Sequence, residues 1–434
     1  MSVTLREPAT PTTRHGLLHG LTGEAPDPAI EAHHERWGVL RQGRVGLIDQ
    51  LDASGLAGHG GAWFPVATKW RAVAQASRRG AVVVANGAEG EPASKKDAFL
   101  LAHAPHLVLD GLVAAAAALH ARRAIAYVPS THARGVERAV AERRSLDLDP
   151  IPIEVVESPD AFLAGQESAV VNALCGRRRA VPSFVGISSV REQGVGGRPT
   201  LVQNVETLAH VALVARFGAE WFRQLGTNRD PGTILLTVDR GEGPVIVEGV
   251  LGSPLPDTLG LTPQDLGSYR GVLLGGYGGG WISPEVFAKL PLTEKAARAA
   301  GTTLGAGVVA LLPGRVCPLA EMADVTRYME GQGAGQCGPC VYGLADLADA
   351  MEHLAYGGAG GLSSDRVLEV CNLVDRRGAC RHPDGVARFV RTGLSVFAEE
   401  VAAHQCRGAC RGIRASRVLP VGSTTAGRRL VSRA

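Results

Sequence analysis

The chain reads as an α/β protein: a doubly wound domain, then a small β-rich module, then a compact helical bundle. Three observations carry this. First, apolar runs at residues 81–85, 124–128 and 153–156 alternate with helix-like spacing at 106–122, 133–144 and 167–174, the pattern of parallel strands covered on both faces by crossover helices. Second, after Asp230-Pro231-Gly232 the texture changes to short strands at 233–238, 245–250 and 272–274 between glycine-rich turns, which fits a small β-grasp module. Third, from Cys317 onward apolar residues recur three and four apart, as at Leu344, Leu347, Met351 and Leu354, and such amphipathic helices bury their stripes most simply in a bundle.

The boundaries follow from these changes in texture. Residues 1–45, rich in proline, histidine and glycine without a period, read as a mobile or loosely docked arm. The α/β domain spans 46–228, the β-grasp module 229–315 and the helical domain 316–405; residues 406–434 read as a flexible tail.

Composition narrows the function classes. The 434 residues carry 45 Lys+Arg against 42 Asp+Glu, so no basic excess points to nucleic acid or an anionic membrane. The longest apolar stretch, 112–119, is alanine-rich and too short to span a bilayer, and residues 1–14 lack the apolar core of a signal peptide; a cytoplasmic protein without a transmembrane segment is expected. The eight cysteines then read as thiols, core residues or metal ligands rather than a disulfide framework. Cys175 and Cys317 are expected to be packing residues. Cys337, Cys340, Cys371, Cys380, Cys406 and Cys410 cluster in the last quarter.

Two glycine-rich segments flank the first strand. The first, from Gly58 through His59, Gly60, Gly61, Ala62, Trp63 and Phe64 to Pro65, is followed by Lys69-Trp70. The second reads Asn86-Gly87-Ala88-Glu89-Gly90-Glu91-Pro92. Glycines let backbone amides approach an anion, a downstream helix start adds its positive dipole end, and Lys69 supplies a point charge for a phosphate. Glu89 and Glu91 would repel phosphate and suit hydroxyl, amide or ring N–H groups. A flavin or nicotinamide nucleotide offers both kinds of group; a glycine-rich turn alone is also compatible with being only a turn.

These segments resemble the flavin-binding loops of the NADH-binding flavoprotein subunit of respiratory complex I, shared with NAD-linked hydrogenases and formate dehydrogenases, whose pattern is GRGGAGFP…KW, then NADEGEP. Three more motifs follow in the family's order: Gly165-Gln166-Glu167 for GEE, Gly197-Arg198-Pro199-Thr200 with Asn204-Val205-Glu206-Thr207 for G-[RK]-P-T…NVET, and Cys337-Gly338-Pro339-Cys340 for the core of its cluster motif. The resemblance implies a Rossmann-like FMN domain and a ubiquitin-like β-grasp domain before the cluster domain. It places Gly58, Gly60, Lys69, Asn86, Glu89, Gly165, Glu167, Val202 and Asn204 around FMN. Gly61, Ala62, Phe64, Glu91, Glu167 and Phe184 fall on or near positions that receive NAD(H), with Glu91 and Glu167 as the catalytic-site carboxylates.

Hydride transfer between stacked rings asks orientation and charge neutralisation of the protein rather than an acid or base. The family's arginine, aspartate and first glutamate are His59, Ala88 and Gln166 here, and Ala72 stands where an aromatic would stack on adenine. In the cysteine motif Ala334 occupies the first ligand position, so Cys337, Cys340 and Cys380 remain as cluster ligands. They could hold a [3Fe–4S] cluster, or a [4Fe–4S] cluster completed by water or by His382 or Cys371; alternatively Cys337 and Cys340 are a dithiol. Cys406 and Cys410 read as exposed tail thiols in preference to the alternative of a metal role. The resemblance implies an FMN-dependent NAD(P)H oxidoreductase that passes electrons through an iron–sulfur cluster to a ferredoxin-like or other iron–sulfur redox subunit within a hetero-oligomer. The alternative is a non-catalytic scaffold subunit of the same fold.

Overall fold

A computed structural model of the chain describes residues 4–5, 16–21, 26–40, 46–77, 80–177, 181–183, 189–357, 363–410, 412 and 417–422. Its strands are β1 (Thr4–Leu5), β2 (Val82–Asn86), β3 (Arg123–Pro129), β4 (Ile153–Ser158), β5 (Thr200–Asn204), β6 (Thr233–Asp239), β7 (Pro244–Val250), β8 (Tyr269–Leu274), β9 (Gly280–Ile282) and β10 (Val308–Pro313).

A parallel sheet with strand order β4-β3-β2-β5 forms the first layer. Val83 and Ala85 face one side with Leu107, Leu112 and Leu208, whereas Val82 and Val84 face the other with Ile125, Tyr127 and Val170. A strand covered on both faces needs apolar residues at every position, which is why β2 is an unbroken apolar run. Helices Pro105–Ala118 and Val205–Phe217 cover the first side. They meet at Gly111, where a Cβ would stand 2.0 Å from the Leu208 carbonyl, so only glycine permits the crossing. β2 lies between β3 and β5, and the winding therefore reverses there. Asn86 pairs in register with Asn204, placing both at the carboxyl ends that flank this switch point, where open α/β sheets bind ligands.

The second sheet runs β1-β7-β6-β10-β8-β9. β6 and β7 form an antiparallel hairpin, β10 lies parallel to β6, and β8 is antiparallel to both β10 and β9. Helices Pro318–Gly331, Leu344–Tyr356, Ser364–Val374, His382–Val396 and Ala398–Arg407 share a core through Leu319, Met322, Leu347, Met351, Val370 and Val390, joined by Leu273 and Leu312 of the sheet. Among the described residues no single helix is long and apolar enough to cross a membrane.

Both chain ends differ from the sequence expectation. Within the supposed loose arm, β1 pairs with β7, Leu17 and Leu18 amides donate to Glu248, and the helix Ile30–Trp37 buries Ile30 and Trp37. His33 Nε2 meets Asp110 Oδ2 at 2.8 Å, and the same carboxylate takes Arg143 and Arg216. Burial opposes its ionisation, but these partners hold Asp110 well below the usual carboxylate range. In the supposed tail, Leu419 is buried, the amides of Val418 and Leu419 donate to Glu321, and Tyr277 donates its hydroxyl to the Pro420 carbonyl. Both segments lack periodicity because they are held by single long-range contacts, which leave no local pattern.

Candidate flavin and cluster sites

The first glycine-rich loop lies on the switch point. Gly60 rests against Asn204, with a Cβ there 3.1 Å from that of Asn204, and the Gly58 amide donates to the Phe64 carbonyl at 2.9 Å. Gly61 has φ +98°, and a Cβ on it would meet nothing closer than the Gly305 backbone at 3.9 Å, so this glycine borders open space beside the second sheet. The helix Val66–Ala76 starts directly behind Pro65 without a side-chain cap; the Val66 and Lys69 amides donate to the Leu56 and Pro65 carbonyls, which leaves those of Ala67 and Thr68 for an anion. Lys69, on that first turn, reaches the Val202 carbonyl at 2.5 Å and Glu167 Oε1 at 3.1 Å. Both lysine and glutamate keep some exposure, at 18% and 32% of their side chains, so the pair can exchange partners with a ligand.

The other named polar groups mainly build the walls. Asn86 donates to the Gly165 carbonyl at 2.8 Å, and Gly165 is compelled to be glycine because a Cβ would lie 2.5 Å from the Ala88 carbonyl. Asn204 caps the helix Val205–Phe217 through the amides of Glu206 and Thr207 and donates Nδ2 to Asp97 at 2.7 Å. Glu89 accepts from Ser94 and from the amides of Asp97 and Ala98, closing the start of the helix Lys96–His103. Burial and the neighbouring Asp97 carboxylate push the Glu89 carboxyl up. The sequence pattern could show that these side chains belong to the site but not that each already has protein partners. Ala62 and Phe64 are exposed, with the Arg191 guanidinium 5.2 Å from the Phe64 ring centroid. Phe184 lies outside the described residues.

Glu91, in the second loop, is buried and accepts from the amides of Tyr277 at 2.7 Å and Ala93 at 3.2 Å. Burial raises its pKa from 4.5 to about 7 against the pull of those amides. The folded protein therefore holds this proton more tightly than the unfolded chain, so Glu91 contributes stability at low pH that is lost as pH rises from 4.5 to about 7. The loss is roughly 3 kcal/mol at most. Glu91→Gln is expected to remove it: relative to wild type, the variant gains unfolding free energy between pH 5 and 8, measured by denaturant titration at both values. A difference independent of pH would mean that Glu91 does not titrate in this range.

Two departures from the family pattern meet in space. His59 is buried, donates its amide to Thr207, and sets its ring 5.2 Å from Trp63 and 4.9 Å from His210. Trp63 stands where the family pattern has glycine, at φ +54°. Sequence reading missed this substitution, although direct comparison with the pattern exposes it. The strained backbone is held because Trp63 packs against the second sheet and His59. Burial pushes the pKa values of His59 and His210 down to about 3, keeping both neutral. Lys96 supplies the positive charge, 2.9 Å from Glu206 and 2.7 Å from Asp97; burial opposes its charge, but the carboxylates more than compensate and raise its pKa.

In the helical domain Cys337, Cys340 and Cys380 converge, each thiol within electrostatic reach of the others. Cys340 opens into a π-helical turn, Pro339–Gly343. The Gly335 amide donates to Cys340 and the His382 amide to Cys380. Burial pushes the Cys340 thiol up to about 12 and raises that of Cys380, so these two sulfurs require a positive centre to exist as thiolates. His382 donates Nε2–H to the Met329 carbonyl at 2.9 Å, leaving Nδ1 buried without a hydrogen-bond partner. Cys371 is buried in the core with Arg391 and Asp375 as its electrostatic neighbours. The donor set and its amide support fit an iron–sulfur group better than a bare dithiol.

The two sites are joined by one short turn, Phe162–Gly165. At its end Gly165 accepts from Asn86; at its start Phe162 sets its ring 5.5 Å from His382 and takes Gln332 Oε1 on its amide. This turn thus links the glycine-rich loop on the switch point to the three-cysteine cluster, the arrangement expected of a redox flavoprotein. The chain is similar to the NADH-binding flavoprotein subunits of respiratory complex I and NAD-linked hydrogenases. Residues 51–213 match the Nuo51 FMN-binding domain and residues 320–404 the NADH-ubiquinone oxidoreductase-F iron-sulfur binding region. A subunit of NADH-quinone oxidoreductase in Mycobacterium tuberculosis is 29% identical over 392 residues, covering 84% of this chain and 85% of that one. A subunit of the same name in Rhizobium meliloti is 27% identical, covering 88% and 96%. A crystal structure of an air-oxidised NAD+-reducing [NiFe]-hydrogenase superposes with TM-score 0.73 at 26% identity; it matches 89% of this chain, which spans 65% of the hydrogenase chain.

Proposed function

We propose that this chain is an FMN-dependent NADH oxidoreductase subunit that delivers electrons through an iron–sulfur cluster to a partner redox subunit. The observation that carries the reading is the glycine-rich loop seated on the switch point with Lys69 on the first turn behind it. Gly58, Gly60, the start of the helix Val66–Ala76 and Lys69 neutralise the FMN phosphate. Asn86, Glu89, Gly165, Val202 and Asn204 fix the walls around it, and Gly61, Ala62, Phe64, Glu91 and Glu167 border the approach of NADH. A flavin held there would supply hydride acceptance and one-electron release.

Cys337, Cys340 and Cys380 hold the cluster, with His382 Nδ1 as the free buried ligand atom beside Cys380. Exposed Val341 and Tyr342 follow Cys340 directly, an apolar surface on which an iron–sulfur partner would dock. The second sheet is read as a β-grasp domain, supported by its central parallel pair β6–β10 flanked by two antiparallel hairpins, and the helices after it as the cluster-binding bundle. Purified anaerobically, the protein is expected to contain FMN and iron and to reduce a one-electron acceptor with NADH; flavin-free and iron-free protein would overturn the reading. Ala334→Cys is expected to raise iron to about four per chain, as in a four-thiolate cluster. Unchanged iron would count against a vacant ligand position at residue 334.

A further inference from the structure

We infer a second metal site, distinct from the cluster, in which Cys317, Glu400, His404 and Cys410 bind one zinc ion. The ligand atoms of these residues all lie within 4.8 Å of one another. They come from three elements: Cys317 precedes the helix Pro318–Gly331, Glu400 and His404 are one turn apart on the helix Ala398–Arg407, and Cys410 lies just beyond that helix. Cys317 and His404 are buried, whereas Glu400 and Cys410 are half-buried. Sequence reading gave Cys317 a packing role and placed Cys410 on an exposed tail. Their separation of 93 positions in the sequence hid the pair.

The separations suit a tetrahedral ion. Ligands at about 2.3 Å for sulfur and about 2.0–2.1 Å for nitrogen or oxygen stand about 3.5 Å apart from sulfur to nitrogen and about 3.3 Å from nitrogen to oxygen. His404 Nε2 lies 3.6 Å from Cys317 Sγ and 3.4 Å from Glu400 Oε1. The Cys410 thiol is in hydrogen-bonding contact with both Cys317 and Glu400.

The surroundings orient the ligands. The Ala355 carbonyl, 3.1 Å from His404 Nδ1, can only accept. Nδ1 therefore carries the proton and Nε2 presents its lone pair to the site, the arrangement of a metal-bound histidine supported by a backbone carbonyl. Arg270 holds the other Glu400 oxygen at 2.6 Å. A lone pair facing a carboxylate calls for a proton or cation between them, and among the described residues the backbone offers Nε2 only the long Cys410 amide contact at 3.4 Å. Two sulfurs beside them select a borderline-soft ion, and four protein ligands mark a closed, structural zinc site rather than a catalytic one. Such an ion would pin the chain after residue 407 to the start of the helix Pro318–Gly331.

The test is metal analysis and zinc-edge X-ray absorption on the full chain, expressed with zinc and iron and purified anaerobically. About one zinc per chain is expected, with a shell of sulfur at about 2.3 Å and nitrogen or oxygen at about 2.0 Å. Cys410→Ser and, separately, Glu400→Gln should lose most of the zinc at unchanged FMN and iron, which also verifies that each variant is folded. Cys337→Ser should lose iron and keep zinc. The proposal is overturned by zinc-free protein, by a Cys317–Cys410 disulfide, or by zinc that survives both the Cys410 and Glu400 substitutions. The zinc content and the zinc-edge shell do not depend on the flavin assignment.

Discussion

Lys69→Ala is expected to weaken FMN binding by about 10–100-fold, the loss of one hydrogen bond to a charged group at about 1.5–3 kcal/mol. Lys69 is the cation on the first turn behind the glycine-rich loop, and its present partners, the Val202 carbonyl and Glu167, are both protein acceptors. Removing it takes the counter-charge from a bound phosphate and leaves Glu167 unpaired beside it, so two effects act in the same direction. Equilibrium dialysis of FMN against wild type and variant measures the change. Equal affinity would place the phosphate elsewhere.

Cys380→Ser is expected to have the largest effect on turnover with one-electron acceptors, reducing it to background while NADH still bleaches the flavin. Cys380 sits at the start of the helix His382–Val396 and receives the His382 amide on its sulfur. Its loss would leave two thiolates, too few to retain a cluster firmly. Iron analysis should fall to near zero with FMN unchanged. A variant that keeps full iron and full electron delivery would show that Cys380 is not a ligand.

The features legible in the sequence are those encoded within a few residues of one another. The apolar run of β2, the glycines on either side of it and the Cys337–Cys340 pair are local patterns. The expectation that both glycine-rich segments lie at strand ends holds for the second, which follows β2 where Asn86 pairs with Asn204; the first instead links the helices Leu47–Ser54 and Val66–Ala76 and reaches the sheet end only by packing Gly60 on Asn204. What the sequence concealed depends on contacts without local signature. His33 meets Asp110 across 77 positions, and the tail docks through two backbone amides on Glu321. The roles of Glu89 and Asn204 as helix caps were hidden for a different reason: a polar residue after a strand looks the same whether its partner is a ligand or the next helix. His59 and Trp63 look like independent losses in the sequence, yet their rings touch.

The central claim is that a flavin occupies the crevice between the Gly58–Pro65 loop and the carboxyl ends of β2 and β5. It is tested most directly by anaerobic titration of the purified, FMN-reconstituted protein with NADH while the visible spectrum is recorded. The account predicts a yellow protein with one FMN per chain whose flavin absorbance bleaches stoichiometrically with NADH. Colourless protein that does not take up FMN, or bound flavin that NADH leaves oxidised, would contradict it and favour a scaffold that has kept the fold without the chemistry.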